Sequence, residues 1–113
     1  MKFQISTTQN GVRLDIDGTL DALTVSDIRT DLDKLVESAP AKVDVNLANL
    51  RLIDSSGVGA LVSLYKRVKA KGGSVQINGL KDQPLAIFRL LRLDRVLLDS
   101  DGRALLKQKQ AKS

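Results

Sequence analysis

The sequence contains neither cysteine nor histidine. Without cysteine, disulfide scaffolds, thiolate zinc sites and thiol nucleophiles are excluded. Without histidine, a serine hydrolase lacks its usual general base and most transition-metal sites lack their usual ligand. These absences argue against an enzyme and against a transition-metal site. We expect a chain that is not an enzyme and that holds neither a metal ion nor another cofactor.

Aromatic residues and long apolar runs are also scarce. Two Phe and one Tyr are the only aromatics, whereas 42% of the 113 residues are hydrophobic, so aliphatic side chains must build the core. No apolar run approaches the roughly 20 residues that span a bilayer. We expect a cytoplasmic protein that does not insert into membranes and is monomeric when free. Its single domain should cover residues 1–106, with a polar tail, 107–113, that frays.

Charge is distributed unevenly along the chain. Residues 1–54 carry 6 basic and 9 acidic side chains, and residues 55–113 carry 12 and 4, for a net charge of +5. A basic segment can bind nucleic acid, but this chain has few aromatics to stack on bases, and its basic residues are spread over several predicted helices. A solvated helical surface accounts for the charge better, and we expect no nucleic-acid partner.

Apolar residues that alternate with polar ones predict five strands. The first two form a hairpin over residues 2–17, because Asn10-Gly11 suits a tight turn, and Gly18 ends the second strand. The remaining strands are expected at residues 42–47, 74–78 and 96–98.

Apolar residues at spacings of three, four and seven predict four helices, the first of them capped by Thr24. Their expected bounds are about Thr24 to a point before Pro40, Ser55 to Gly72-Gly73, Pro84 to about Leu91, and 101–109. The side chains expected to face the core in the first three helices are Val25, Ile28, Leu32, Leu35 and Val36, then Val58, Leu61, Val62, Tyr65 and Val68, then Leu85, Phe88 and Leu91.

The order of these elements, β-β-α-β-α-β-α-β-α, predicts an α/β fold built on a mixed sheet. Strands alternating with helices are typical of parallel pairs joined by right-handed crossovers, and the hairpin adds an antiparallel edge. The helices are expected to pack mainly on one face of that sheet.

The segment LIDSSGVGALV, residues 52–62, places serines and glycines where a strand gives way to a helix. One explanation is purely structural: Asp54 or a serine caps the helix, and Gly57 and Gly59 allow close packing. A dinucleotide-binding loop does not fit, because Val62 stands where G-x-G-x-x-G has its last glycine. A nucleophile elbow, G-x-S-x-G, does not fit either, because no glycine stands two residues before either serine.

Phosphorylation of Ser55 is the chemical alternative. A helix N-terminus presents unpaired N–H groups and a partial positive charge, so a phosphate there is accommodated at little structural cost. The modification would add about two negative charges beside Asp54. A partner that covers this spot when the hydroxyl is free would have to desolvate those charges, so Ser55 can act as a binding switch.

The residues around Ser55 resemble the anti-sigma factor antagonists of the STAS-domain family. In that family D-S-[ST]-G-[LV]-G opens a helix, and residues 54–59, DSSGVG, have this pattern. Residues 14–32 are similar to the family's strand, G-x-L-D turn and first helix, and residues 84–97 to its third helix and last strand. The similarity covers about residues 3–105 and implies the STAS fold.

The resemblance implies that Ser55 is the phosphoacceptor and that three proteins share the switch. A GHKL-type serine kinase that is also the anti-sigma factor would use ATP to phosphorylate Ser55. A PP2C-type phosphatase with bound manganese or magnesium would restore the hydroxyl. The unphosphorylated chain would capture the anti-sigma factor, and the phosphorylated chain would release it.

A docking surface for the partner is implied in the same way. It comprises Thr19, Asp21, Asp54, Ser55, Ser56, Gly57, Val58 and Gly59. Thr19 stands where an acidic residue is frequent in the family and Val58 where leucine is most common, so the departure at Thr19 bears on affinity and partner choice. The alternative function is a STAS scaffold without phosphorylation, as a subunit of a lipid-transport ATPase complex or of a stress-sensing assembly.

Overall fold

The structure is a computed structural model that describes residues 2–9 and 11–93. Within these residues it contains five strands and three helices. In chain order they are β1 (Lys2–Thr7), β2 (Val12–Leu20), α1 (Ala22–Glu37), β3 (Lys42–Asn46), β4 (Leu50–Ile53), α2 (Ser55–Ala70), β5 (Ser74–Asn78) and α3 (Asp82–Leu90). The strand predicted at 96–98, the helix predicted at 101–109 and the tail at 107–113 lie outside the described residues.

Strand β2 is the centre of a mixed sheet. Its N-terminal part pairs antiparallel with β1 on one side and parallel with β3 on the other, and β5 pairs parallel with β3. Its C-terminal part, Gly18 to Leu20, pairs parallel with β4. The carboxyl ends of β2 and β4 therefore lie side by side, and α1 and α2 begin where these two strands end.

One face of the sheet is apolar and the other is polar. The apolar face contributes fully or almost fully buried side chains from β2, β3 and β5, and the helices add Leu61, Leu64 and Phe88 to the same core. On the opposite face Asp15 accepts hydrogen bonds from Arg13 and Asn46. The prediction of an α/β fold with a mixed sheet and helices mainly on one face is confirmed.

Two predicted boundaries around β2 are wrong. Gly18 does not end the strand: with φ of +90° it carries an irregularity in the pairing, and β2 continues to Leu20. The Gly18 N–H donates to the Asn49 carbonyl, so the bend is held by the chain that enters β4. Thr24 is not the N-cap residue of α1, because the helix begins at Ala22 with Asp21 as its N-cap and Thr24 lies at the third helical position.

The predicted element order lacks β4. This strand has four residues, Leu50–Ile53, and is separated from β3 by a short turn in which the Leu50 N–H donates to the Leu47 carbonyl. Other predicted elements agree more closely with the structure. They are the hairpin, the ends of α1 and α2, strand β5 and the first turn of α3.

Some predicted core positions also differ. Leu64 of α2 is buried although it was not among the expected core residues, whereas Val62 and Tyr65 are half-buried. At the end of α3 the expected core residue Leu91 is 51% exposed, and Leu85 is half-buried.

Candidate functional site

The segment that joins β4 to α2 lies beside the segment that joins β2 to α1. The Asp54 N–H donates to the Leu20 carbonyl at 3.2 Å, which ties the two junctions together. Asp54 and Asp21, the N-caps of α2 and α1, are thus on neighbouring strand ends. The fold brings together the two parts of the predicted docking surface, although about 30 residues of sequence separate them.

Asp54 caps α2, and the serines do not. The Asp54 carboxylate accepts a hydrogen bond from the Gly57 N–H at 3.0 Å, and its carbonyl accepts from the Val58 N–H at 2.9 Å. Both Ser55 and Ser56 are exposed, and their hydroxyls make no hydrogen bond with any residue that the structure describes. The structural explanation therefore accounts for Asp54 and leaves both serine side chains without a structural role.

The two glycines of the predicted docking surface differ in what surrounds them. A Cβ on Gly57 would lie 2.4 Å from the Leu20 carbonyl oxygen and 2.7 Å from Cγ1 of Ile53. A Cβ on Gly59 would meet no other described residue within 4 Å. Gly57 is therefore required for the close approach of α2 to β2 and β4, whereas Gly59 is exposed and has room for a side chain among the residues that the structure describes.

Ser55 and Ser56 open onto different sides of α2. A groove of about 530 Å³ between α1 and α2 is lined by Ser56 and Gly59. A second groove of similar volume, about 530 Å³, includes Ser55, Val58 and Leu91 in its lining. Gly59 lines both grooves, so Ser55 and Ser56 of the predicted docking surface lie in two adjoining grooves that meet at Gly59.

Asp21 is held in a capping box with Thr24. Its carboxylate accepts from the Thr24 N–H at 3.0 Å, and the Asp21 N–H donates to the Thr24 hydroxyl at 2.8 Å. The Thr24 N–H is the main reason that the pKa of Asp21 lies below its ordinary value of 3.8. Thr19 is half-buried in β2, where it pairs with Leu52 of β4.

The capping box makes stability depend on pH in acid solution. Because the folded pKa of Asp21 is lowered, its contribution is present above the ordinary value of 3.8 and is lost as the pH falls through the folded value. We expect Asp21→Asn to unfold at lower urea concentration than wild type at pH 7, and we expect the difference between the two urea midpoints to narrow as the pH falls below 3.8. Urea unfolding followed by circular dichroism at pH 7 and through the acid range measures this, and a difference that stays constant would contradict it.

Gln83 of α3 contacts the site, although nothing in the sequence pattern indicated it. Its side-chain oxygen accepts from the Ile53 N–H at 3.0 Å, and its side-chain NH₂ donates to the Ile53 carbonyl at 3.0 Å. Ile53 directly precedes Asp54. A glutamine in the first turn of a helix carries no periodic signal, and this contact spans 30 residues of sequence.

The described residues hold no arrangement that suggests a metal site or a membrane span. No group of three or more acidic side chains among them is placed to bind a metal ion. None of the three helices in this part of the chain combines the length and the apolar character needed to traverse a bilayer.

The comparison with known protein families decides the family. A family model described as Mlab, STAS domain, matches residues 3–106. The chain belongs to the STAS-domain family. The family predicted from DSSGVG and its flanking segments is therefore confirmed, and the match covers the whole of the described structure apart from Lys2.

Several proteins similar to this chain are named anti-sigma factor antagonists. The anti-sigma-B factor antagonist of Bacillus subtilis is 26% identical over 93 residues, which are 82% of this chain and 84% of that protein. Among solved structures, a Thermotoga maritima protein proposed to be an anti-sigma factor antagonist is 18% identical with a TM-score of 0.78, covering 93% of this chain and 94% of its own.

The Bacillus cell fate determinant SpoIIAA, an anti-sigma factor antagonist, has the same fold in two states. Its unphosphorylated form is 23% identical with a TM-score of 0.67, covering 79% of this chain and 83% of its own. Its phosphorylated form is 24% identical with a TM-score of 0.68, covering 80% and 83%. At these identities the likeness shows the STAS fold, and it is equally close for both forms.

Proposed function

We propose that this chain is an anti-sigma factor antagonist that works as a phosphorylation-controlled partner switch, with Ser55 as the acceptor. The observation that carries the proposal is the exposed Ser55 hydroxyl, which makes no hydrogen bond within the described residues and lies directly after a helix cap supplied by Asp54. The antagonist names of its relatives support the same function.

In the chemistry of the switch this chain contributes only the acceptor hydroxyl. The γ-phosphoryl group of ATP is transferred to Oγ of Ser55, ADP leaves, and the hydroxyl proton passes to a base on the kinase. A GHKL-type kinase supplies the ATP site, and a PP2C-type phosphatase with its own metal ions hydrolyses the phosphoserine. The role of the chain itself is to present the hydroxyl and to bind, so it is not an enzyme in this scheme.

The electrostatics of the docking surface explain how one phosphate changes binding. Asp21 and Asp54 already place negative charge there, and neither forms an ion pair with another described residue. The first turn of α2 tolerates a phosphate, because its dipole and its free N–H groups favour an anion. The fold therefore persists on modification, while a partner that fits the unmodified surface meets about two additional charges that it must desolvate.

Phosphorylation with the neighbouring serine as control tests the proposal. The full chain is used to recover its binding partner from a lysate of the source organism, and the recovered kinase is then incubated with the chain and ATP. We expect mass spectrometry to find a single phosphate on wild type and on Ser56→Ala, and none on Ser55→Ala. A phosphate on Ser55→Ala, or its loss in Ser56→Ala alone, would show that Ser55 is not the acceptor.

A STAS scaffold that works without phosphorylation is the second candidate. The description of the matching family model as Mlab, rather than as an antagonist, favours it. In that case the chain would co-purify with an ATPase complex for lipid transport or with a large stress-sensing assembly, and Ser55→Ala would associate as wild type does. Recovery of a GHKL-type kinase that releases the chain after ATP is added would decide against the scaffold.

A further inference from the structure

Strand β4 is held on both of its edges, but by different kinds of group. On one edge it pairs with the backbone of β2, and the Asp54 N–H that follows the strand donates to Leu20 on that side. On the other edge, the N–H and the carbonyl of Ile53 both bond to the Gln83 carboxamide at 3.0 Å. A carboxamide has the donor and acceptor of a peptide group, so Gln83 takes the place of a neighbouring strand.

The start of α3 is built around this contact. Asp82, the residue before Gln83, has φ of +53°, a conformation that residues other than glycine seldom adopt. Lys81, the N-cap residue, makes no side-chain hydrogen bond to the helix. Capping of α3 therefore does not explain the unusual backbone conformation of Asp82. That conformation does place Gln83 against Ile53.

We propose that Gln83 is a positioning residue for the Ser55 site, an inference that rests on the proposed function of Ser55. Ile53 and Asp54 are consecutive, and they are held from opposite edges, Ile53 by Gln83 and Asp54 by Leu20. This pair of contacts fixes the direction in which the Asp54 carboxylate reaches the Gly57 N–H, and with it the orientation of the first turn that carries Ser55. Without Gln83 the junction is held on one edge only.

The inference is tested on the isolated full chain with Gln83→Met, which keeps the side-chain length and removes both hydrogen bonds. Gln76→Met, on β5, is the matched control. We expect amide hydrogen exchange at Gly57, whose N–H donates to Asp54 and not to Gln83, to become faster by about tenfold, the factor that corresponds to roughly one hydrogen bond. The Leu64 amide in the middle of α2 should change much less, and Gln76→Met should leave the ratio of the two rates at the wild-type value.

A purely structural role would accelerate exchange at Gly57 and Leu64 by the same factor, because both amides would then report global unfolding. That result would overturn the inference. The exchange measurement requires no partner, so it tests how Gln83 positions the start of α2 whether or not the proposed function of Ser55 is correct.

Binding provides the second measurement. With the kinase recovered by wild type as the probe, we expect Gln83→Met to bind about tenfold more weakly, equivalent to 1.4 kcal/mol, and Gln76→Met to bind as wild type does. Wild-type affinity in Gln83→Met would overturn the role of Gln83 in partner binding. Failure of wild type itself to recover a kinase would instead count against the proposed function, and the exchange measurement would still decide the role of Gln83.

Discussion

Replacement of Ser55 by aspartate is expected to weaken partner binding by about 100-fold or more while leaving the fold intact. The side chain is exposed at the first position of α2, where the partial positive charge of the helix N-terminus favours an acid by about 0.3–1 kcal/mol. The free energy of unfolding should therefore stay within about 1 kcal/mol of wild type. In the proposed complex the partner would cover this carboxylate beside Asp54, and the cost of desolvating it would then appear as lost affinity.

Two control variants separate the position of the charge from the charge itself. Ser55→Ala removes the hydroxyl without adding charge and should bind within a few-fold of wild type. Thr30→Asp adds a carboxylate to an exposed position of α1, outside the docking surface, and should also bind normally. Calorimetric titration of the recovered kinase with each variant, together with urea unfolding, gives both quantities.

Equal losses of affinity in Ser55→Asp and Thr30→Asp would mean that net charge, and not the site, controls binding. A large loss of stability in Ser55→Asp would mean that the start of α2 does not tolerate an anion. Either outcome would remove the physical basis of the proposed switch, because the switch requires a fold that is the same in both states.

The parts of the fold that could be predicted are those with a regular hydrophobic period. Strands β2, β3 and β5 each bury every second side chain against the helices, and α1 and α2 bury residues at spacings of three and four, so the pattern indicates their positions directly. Strand β4 has only four residues, and its pairing with β2 is interrupted by the irregularity between Gly18 and Thr19, so no period is long enough to show it.

The boundary at α1 shows a different limit of sequence reasoning. Asp21 and Thr24 are both residues that favour helix caps, and they are three positions apart. In the capping box each accepts a hydrogen bond from the backbone of the other, so both belong to the cap, and the sequence alone did not indicate which one is the first.

The part of the candidate site that is contiguous in sequence could be predicted, whereas the contacts between distant segments could not. Residues 54–59 contain the cap, the serines and the glycines in sequence order, so the exposed helix start at Ser55 follows from the motif. The contact between Gln83 and Ile53 depends on the distance between α3 and β4, which only the tertiary structure defines. The same is true of the bond between Asp54 and Leu20 that places Asp21 beside the site.

Substitution by alanine should change the free energy of unfolding in opposite directions at Gly57 and Gly59. Gly57→Ala places a Cβ 2.4 Å from the Leu20 carbonyl oxygen, a backbone atom of β2 that cannot move without disturbing the strand pair. We expect this clash to outweigh the gain in helix propensity and to lower the free energy of unfolding by about 2–3 kcal/mol. Chemical denaturation of the two variants beside wild type measures the effect.

Gly59→Ala is the matched control, since it lies two residues further along the same helix and its Cβ would meet nothing within 4 Å in the part of the chain that the structure describes. Here only the helix propensity changes, and the free energy of unfolding should rise by about 0.5–1 kcal/mol. Gly59 lowers the stability of its own helix and has no packing role among the described residues, which is consistent with close approach by a partner at this position. We therefore expect Gly59→Ala to be more stable than wild type and to bind the kinase more weakly. Destabilisation in Gly59→Ala, or stabilisation in Gly57→Ala, would show that the contacts at the start of α2 differ from those described, and with them the surface on which Ser55 is presented.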